Sequence, residues 1–193
     1  MIDRPFIVVD FEQGTEAWRK WRRGGIGASD APAIMGENPW KSARVLANDK
    51  LAGKSEDWQN AAMATGNKLE PLARQKYISA RGVEVKPLCL QSKSYHWMRA
   101  SLDGICLLHS RVVEIKCGKS VYAHAKKHGT VPRYYVGQLQ HILALTDYAE
   151  IDFCCYYPGE TMIWFTVPRD DAYISRLLDR ELNFWTELQR VNL

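Results

Sequence analysis

Cys-x-x-Cys spacings, long apolar runs and internal repeats are all missing from this chain. Its five cysteines (Cys89, Cys106, Cys117, Cys154 and Cys155) are odd in number. Neither a zinc ribbon nor a disulfide framework is indicated, and reduced core thiols in a cytoplasmic protein are the expectation. No apolar run reaches membrane-spanning length, and the first residues do not follow a charged-then-apolar leader pattern. Neither a membrane partner nor a signal peptide is therefore expected. With no low-complexity tract either, the 193 residues read as one domain spanning 1–193.

An apolar content of 46% over that length is enough for one substantial core. The net charge is +4, and the basic groups cluster at Arg19-Lys-Trp-Arg-Arg23, with more at Lys126, Lys127 and Arg133. A polyanionic partner is compatible with that balance, though the balance alone does not specify one.

The most informative stretch is Ser101-Leu-Asp-Gly-Ile-Cys-Leu-Leu-His-Ser-Arg-Val-Val-Glu-Ile-Lys116. Its pattern predicts two strands, 99–108 and 111–117, joined at His109-Ser110. Strand alternation puts Glu114 and Lys116 on one face, with Val113, Ile115 and Cys117 on the other. A hairpin brings Asp103 beside Glu114. Two converging carboxylates repel, and a hard divalent cation is the usual relief. The adjacent lysine can orient or activate a water, or steady a phosphate. Asp-Gly is also a common turn and Glu-x-Lys an ordinary surface ion pair, so this stretch alone leaves both readings open.

Along the rest of the chain, residues 6–11 read as a short strand and Thr15 as the N-cap of a helix ending at Gly24-Gly25, with Trp18 and Trp21 facing inward. Arg19 and Arg23 read as solvated. In the run Gly25-Ile-Gly-Ala-Ser-Asp-Ala-Pro, Ser29 reads as an N-cap. A small-residue helix start with a hydroxyl and a nearby arginine can seat a phosphate, and an ordinary capped helix has the same pattern. Ser42 caps a helix to about Leu51, and a long helix over 58–80 carries Glu70, by default exposed, beside the breaker Pro71. A strand over 83–90, helices over 121–128 and 133–145, strands over 151–157 and 161–167 and a helix over 171–190 complete the order. His124 and His128 lie four apart without a third ligand, and read as surface residues. This order predicts an α/β fold, a central mixed sheet flanked by helices.

Five pieces, in order, carry a resemblance: Trp18-Arg-Lys-Trp-Arg-Arg-Gly-Gly-Ile-Gly-Ala-Ser29, Gly66-Asn-Lys-Leu-Glu70-Pro-Leu-Ala-Arg74, Ser101-Leu-Asp103-Gly, Glu114-Ile-Lys116 and Gln138-Leu-Gln140. Together they resemble the lambda exonuclease (YqaJ) family of phage recombination exonucleases, within the PD-(D/E)xK nuclease superfamily. Leu102 departs from the superfamily's proline, at a position of backbone geometry rather than chemistry.

The resemblance implies a restriction-endonuclease-like core and a 5′-to-3′ exonuclease that digests one strand of linear duplex DNA, leaving a 3′ overhang for strand annealing. It implies two Mg2+ ions, with Mn2+ possible. Asp103, Glu114 and the Ile115 carbonyl would hold one, and Glu70 with Asp103 the other. Lys116 would orient or deprotonate the attacking water, buttressed by Gln138. Arg22, Ser29 and Ser101 would bind the 5′-phosphate. A ring-shaped homotrimer, a phage single-strand annealing protein as partner and residence in a bacterial host's cytoplasm complete the expectation. The alternatives are a structure- or sequence-specific endonuclease on the same fold and a non-catalytic DNA-end-binding module. A Cas4-like iron–sulfur nuclease is set aside, because no cysteine follows Cys155.

Overall fold

A computed structural model describes residues 3–53 and 61–191. The elements run β1 (Phe6–Val9), α1 (Glu16–Arg23), β2 (Ile26–Gly27), a 3-10 turn (Ala28–Asp30), α2 (Ala31–Met35), α3 (Ala43–Leu51) and α4 (Ala61–Arg81). They continue with β3 (Lys86–Ser92), β4 (Met98–Cys106), β5 (Arg111–Cys117), α5 (Lys119–His128), α6 (Arg133–Thr146), β6 (Glu150–Tyr156), β7 (Ile163–Pro168) and α7 (Asp171–Val191). The expected helix start at Trp58 lies outside the described residues. The helix itself continues through Pro71.

The strands form one sheet in the order β1-β3-β4-β5-β6-β7, with the short β2 beside β4. Only β5–β6 and β2–β4 are parallel pairs among the described strands. The parallel step from β5 to β6 requires a long crossover, which α5 and α6 supply. The mixed sheet flanked by helices is as expected from the element order.

Each face of the sheet carries its own apolar cluster. On one side Leu139, Ile142 and Leu143 of α6 pack with Leu102, Ile105 and Val112, and with Ile174 and Leu188 of α7. On the other, Ala73 and Tyr77 of α4 pack with Val85, Val113, Ile115 and Cys154. Because β5 is covered on both faces, Val112 and Val113 are both buried, and so is Glu114 at 2% exposure. Burial of a strand on both faces follows from helices above and below it. Leu102, where the superfamily has proline, is a fully buried core residue opposite Leu88.

Two polar groups inside these layers were not legible as such in the sequence. Asp152, 1% exposed, accepts from Tyr77 Oη at 2.5 Å and Thr166 Oγ1 at 2.6 Å, and pairs with Arg111 and Arg81. It thereby ties α4 to three strands. His141 and Glu181 are both fully enclosed, with Nδ1 2.7 Å from Glu181 Oε1 and Nε2 3.0 Å from the Arg99 carbonyl. That pair joins α6, α7 and β4.

Burial pulls the His141 imidazole down, but the Glu181 carboxylate outweighs it and holds the ring above its ordinary value. A raised folded-state pKa contributes stability in full below about pH 6.5, and loses it as pH rises through the folded value. His141→Ala, which leaves a buried carboxylate without its partner, is therefore expected to cost about 3–5 kcal/mol in urea unfolding at pH 6. The gap to the parent protein should narrow toward pH 9. A gap independent of pH would contradict the charged pair.

Candidate active site

The site begins where two ladders fail together. Strands β4 and β5 pair from Cys106↔Arg111 only as far as Gly104↔Val113. Beyond that point Ile115 N–H donates instead to Asp103 Oδ2, at 2.7 Å. On β3 the register slips between Lys86 and Leu88, where Pro87 has no N–H to offer. The Asp103 carbonyl takes a hydrogen bond from Arg74 Nε. Both replacements satisfy backbone groups that the broken ladders leave over.

Gly104 lies within β4 rather than at a turn. A Cβ there would stand 2.8 Å from both Val113 Cγ1 and Val85 Cγ2, so the close packing of β4 requires glycine.

Glu114 projects toward α6. Its Oε1 accepts from Lys116 Nζ and Gln138 Nε2, each at 2.6 Å, while Oε2 is buried with no hydrogen-bond partner. Gln138 and Lys116 thus share one carboxylate oxygen as acceptor. Glu70 comes from α4. It is partly buried rather than exposed, and its Oε1 accepts from Arg74 one helical turn on. Burial, and then the Glu114 and Glu70 charges, push the Asp103 carboxyl well above its ordinary value. Burial likewise raises Glu70, against the opposing pull of Arg74. For Lys116, burial pulls the ammonium down, but Glu114 and Asp103 outweigh it and hold it above its usual range.

Two positions back along β4, on the same face as Asp103, Ser101 Oγ accepts from Trp18 Nε1 at 2.7 Å. The Arg22 guanidinium lies 4.7 Å from the Trp18 ring centre, and its Nη2 donates to Ser29 Oγ at 2.7 Å. Arg22, Ser29 and Ser101 are therefore brought together, with Trp18 as the link between them. Ser29 is not the N-cap that its sequence suggests, since it sits within the 3-10 turn with its side chain outward. The backbone contact at that turn is made by Asp30, whose Oδ2 accepts from Gly27 N–H at 2.9 Å and pairs with Lys50 Nζ at 2.8 Å. Lys50 also donates to the Gly25 carbonyl at 2.8 Å. At Gly25 a Cβ would stand 2.4 Å from the Trp97 carbonyl, which explains the small residue there.

Sequence reasoning missed Trp18 as a linking donor, Arg74, and the Asp30–Lys50 pair. For Arg74 a signal existed, the spacing of four from Glu70 on a helix. The others depend on contacts between distant segments. His124 and His128 lie close together on α5, ring centres 4.6 Å apart.

A divalent ion can be tested against this donor set. Among the described residues no group of three or more His, Cys, Asp and Glu side chains has the spacing to hold an ion. Arg74 and Lys116 engage oxygens of Glu70 and Glu114. What remains is the orphaned Glu114 Oε2, the Asp103 carboxyl raised by burial and its acidic neighbours, and the backbone carbonyl of Ile115, next after Glu114 on β5. An all-oxygen set of one or two carboxylates, completed by water and phosphate, suits Mg2+ or Mn2+. The residues fit such an ion at Asp103 and Glu114.

Comparison with known proteins shows what the chain is similar to. A family model described as a YqaJ-like viral recombinase domain matches residues 17–149. The uncharacterised protein YqaJ of Bacillus subtilis (strain 168) is 27% identical over 186 residues, which cover 94% of this chain and 58% of the relative. The uncharacterised protein R354 of Acanthamoeba polyphaga mimivirus is 29% identical over 190 residues, covering 91% of this chain and 35% of that protein. The chain thus spans about half or less of the length of these curated relatives. Among solved structures, an alkaline exonuclease (LHK-Exo) from Laribacter hongkongensis superposes with a TM-score of 0.79 at 28% identity, over 91% of this chain and 93% of that one. The same exonuclease in complex with dAMP superposes with a TM-score of 0.80 at 26% identity, with the same coverage. The fold is that of the PD-(D/E)xK exonucleases.

A carboxylate with a raised folded pKa weakens the fold as pH rises above the ordinary carboxylate range, near pH 4, through the raised value. At pH 8 without divalent ions, Asp103→Asn is therefore expected to melt a few degrees higher than the parent. Millimolar Mg2+ or Mn2+ should raise the parent's melting temperature and leave Asp103→Asn nearly unmoved. A melting temperature indifferent to metal in both proteins would contradict a cation site at Asp103 and Glu114.

Proposed function

Because the chain belongs to the YqaJ-like viral recombinase domain family, we propose that it is a divalent-metal-dependent exonuclease acting on linear duplex DNA. In this reading it digests one strand from a 5′-phosphorylated end and leaves a 3′ single-stranded overhang for recombination by strand annealing. The observation that carries the reading is one of adjacency. Asp103 of the Asp103–Glu114–Lys116 group and Ser101 of the Arg22–Ser29–Ser101 group are two positions apart on the same face of β4. One end of a DNA strand could engage both. The likeness to an alkaline exonuclease, and that protein's complex with dAMP, support a nucleotide-bearing substrate.

The family resemblance gives each residue a role. Asp103, Glu114 and the Ile115 carbonyl would hold one Mg2+ or Mn2+, and Glu70 with Asp103 a second. When bound, such ions neutralise charge on the phosphate and lower the pKa of water. Lys116, charged and tethered to Glu114, directs N–H donors at a water or a phosphate oxygen. Gln138 fixes Glu114 Oε1 and through it the lysine's position. Arg22 and Ser29 offer a guanidinium and a hydroxyl to a terminal 5′-phosphate, and Ser101 a third polar contact. Each cleavage leaves a new 5′-phosphate, so a seat for that group would draw the strand forward one nucleotide at a time.

The family resemblance adds a ring-shaped homotrimer that encircles DNA, a phage single-strand annealing protein as partner, and work in the cytoplasm of a bacterial host. No described helix is long and apolar enough to cross a membrane.

Arg22→Ala tests the seat. On duplexes with matched 5′-phosphate and 5′-hydroxyl ends, the variant is expected to lose tenfold or more of the preference for phosphate, along with processivity. Its single-turnover cleavage should fall less. Equal losses on the two ends would contradict a 5′-phosphate seat at Arg22.

A further inference from the structure

Among the described residues, the loop between α2 and α3 carries the most open large aromatic side chain that is held in a ring stack. Trp40 is 75% exposed. Single exposed apolar side chains are ordinary on protein surfaces, but this one is fixed at both backbone and ring. Asn38 Oδ1 accepts from the N–H groups of Trp40 and Lys41, at 2.8 and 3.0 Å. Asn38 N–H and Glu37 N–H in turn donate to the Pro32 carbonyl, at 3.1 and 2.8 Å. The Glu37 carboxylate accepts from Tyr173 Oη at 2.7 Å, which ties the loop to α7.

The ring itself is propped. Trp40 meets Tyr134 edge-on, with centres 4.9 Å apart and planes at 76°. Tyr134 meets Tyr135 at 4.7 Å, and the Lys116 ammonium lies 5.1 Å from the Tyr135 ring centre. A continuous aromatic ladder therefore runs from the candidate active-site lysine to an open indole. Arg133, exposed and next to Tyr134, puts a positive charge beside the ladder.

We propose that Trp40 and Tyr134 form a stacking site for an unpaired nucleobase of the DNA strand engaged at Lys116. The occupant follows from what such a ladder can hold. Within a duplex the faces of each base are covered by its neighbours, so a tryptophan can stack only on a terminal or unpaired base. A ladder that starts at Lys116 lies where a strand end would be presented, a step that rests on the exonuclease reading above. Aromatic stacking beside a basic group is the general means of holding single-stranded nucleic acid without reading its sequence. The site is thus expected to accept any base and to require one.

The test is a binding comparison in EDTA, so that nothing is cut. It uses a 5′-phosphorylated single-stranded oligonucleotide and an abasic oligonucleotide of the same length and charge, followed by fluorescence anisotropy. The parent protein should bind the base-bearing strand about tenfold or more tightly than the abasic one. Trp40→Ala should remove that difference while leaving the abasic affinity unchanged, and Trp40→Phe should keep most of it. The site is overturned if the parent shows no preference for bases, if Trp40→Ala weakens both strands equally, or if it changes neither. A change in oligomeric mass on Trp40→Ala would also overturn it, by making the ladder a contact between copies. Because no cleavage enters the comparison, absence of nuclease activity would count against the exonuclease reading while this result stands or falls separately.

Discussion

One hydrogen bond, from the Ile115 amide to the Asp103 carboxylate at 2.7 Å, sets the shape of the candidate site. It stands where the β4–β5 ladder would otherwise continue. By taking the amide, Asp103 allows the two strands to part while the outer ladder from β5 to β6 runs on to Cys117↔Tyr156. Where the strands part, the Asp103 carboxylate, the buried Glu114 and the Lys116 ammonium stand together. Arg74 holds the other side of the break through the Asp103 carbonyl, and reaches Glu70 as well.

Such a cluster is electrostatically uncomfortable. Burial and mutual repulsion raise Asp103 and Glu70 together, and Glu114 keeps one oxygen buried without a donor. A buried polar atom left without a partner works against folding. The surrounding structure tolerates this because the sheet is covered on both faces and cross-tied elsewhere. Asp152 joins α4 to the strands, and the His141–Glu181 pair joins α6 and α7 to β4. The repulsion is local, and its frame is cross-tied. An oxygen-liganded cation would relieve the repulsion where it is greatest.

Much of this was legible in the chain. Period-two alternation identified β4 and β5, and apolar residues at 3.6-residue spacing identified α7. The residues of the carboxylate group stood in the sequence at Asp103, Glu114 and Lys116. What could not be read was how they are connected. The Asp103–Ile115 bond depends on where a ladder stops, which strand propensity does not encode. Ser29 has the residue type of a helix cap, yet Asp30 provides the contact, since both satisfy the same local preference. Trp18 was legible as an inward-facing apolar residue, but its N–H reaches Ser101, 83 positions away. His141 and Glu181 are 40 positions apart, and neither alone signals a buried pair.

The central claim is that the cluster at Asp103 is a metal-dependent site acting on DNA ends. Linear 5′-phosphorylated duplex and a covalently closed circle, each incubated with Mg2+ or with EDTA, test it most directly. The account predicts release of mononucleotides from the linear duplex in Mg2+, none in EDTA, and an intact circle in both. A nicked or linearised circle, or digestion that continues in EDTA, would contradict it.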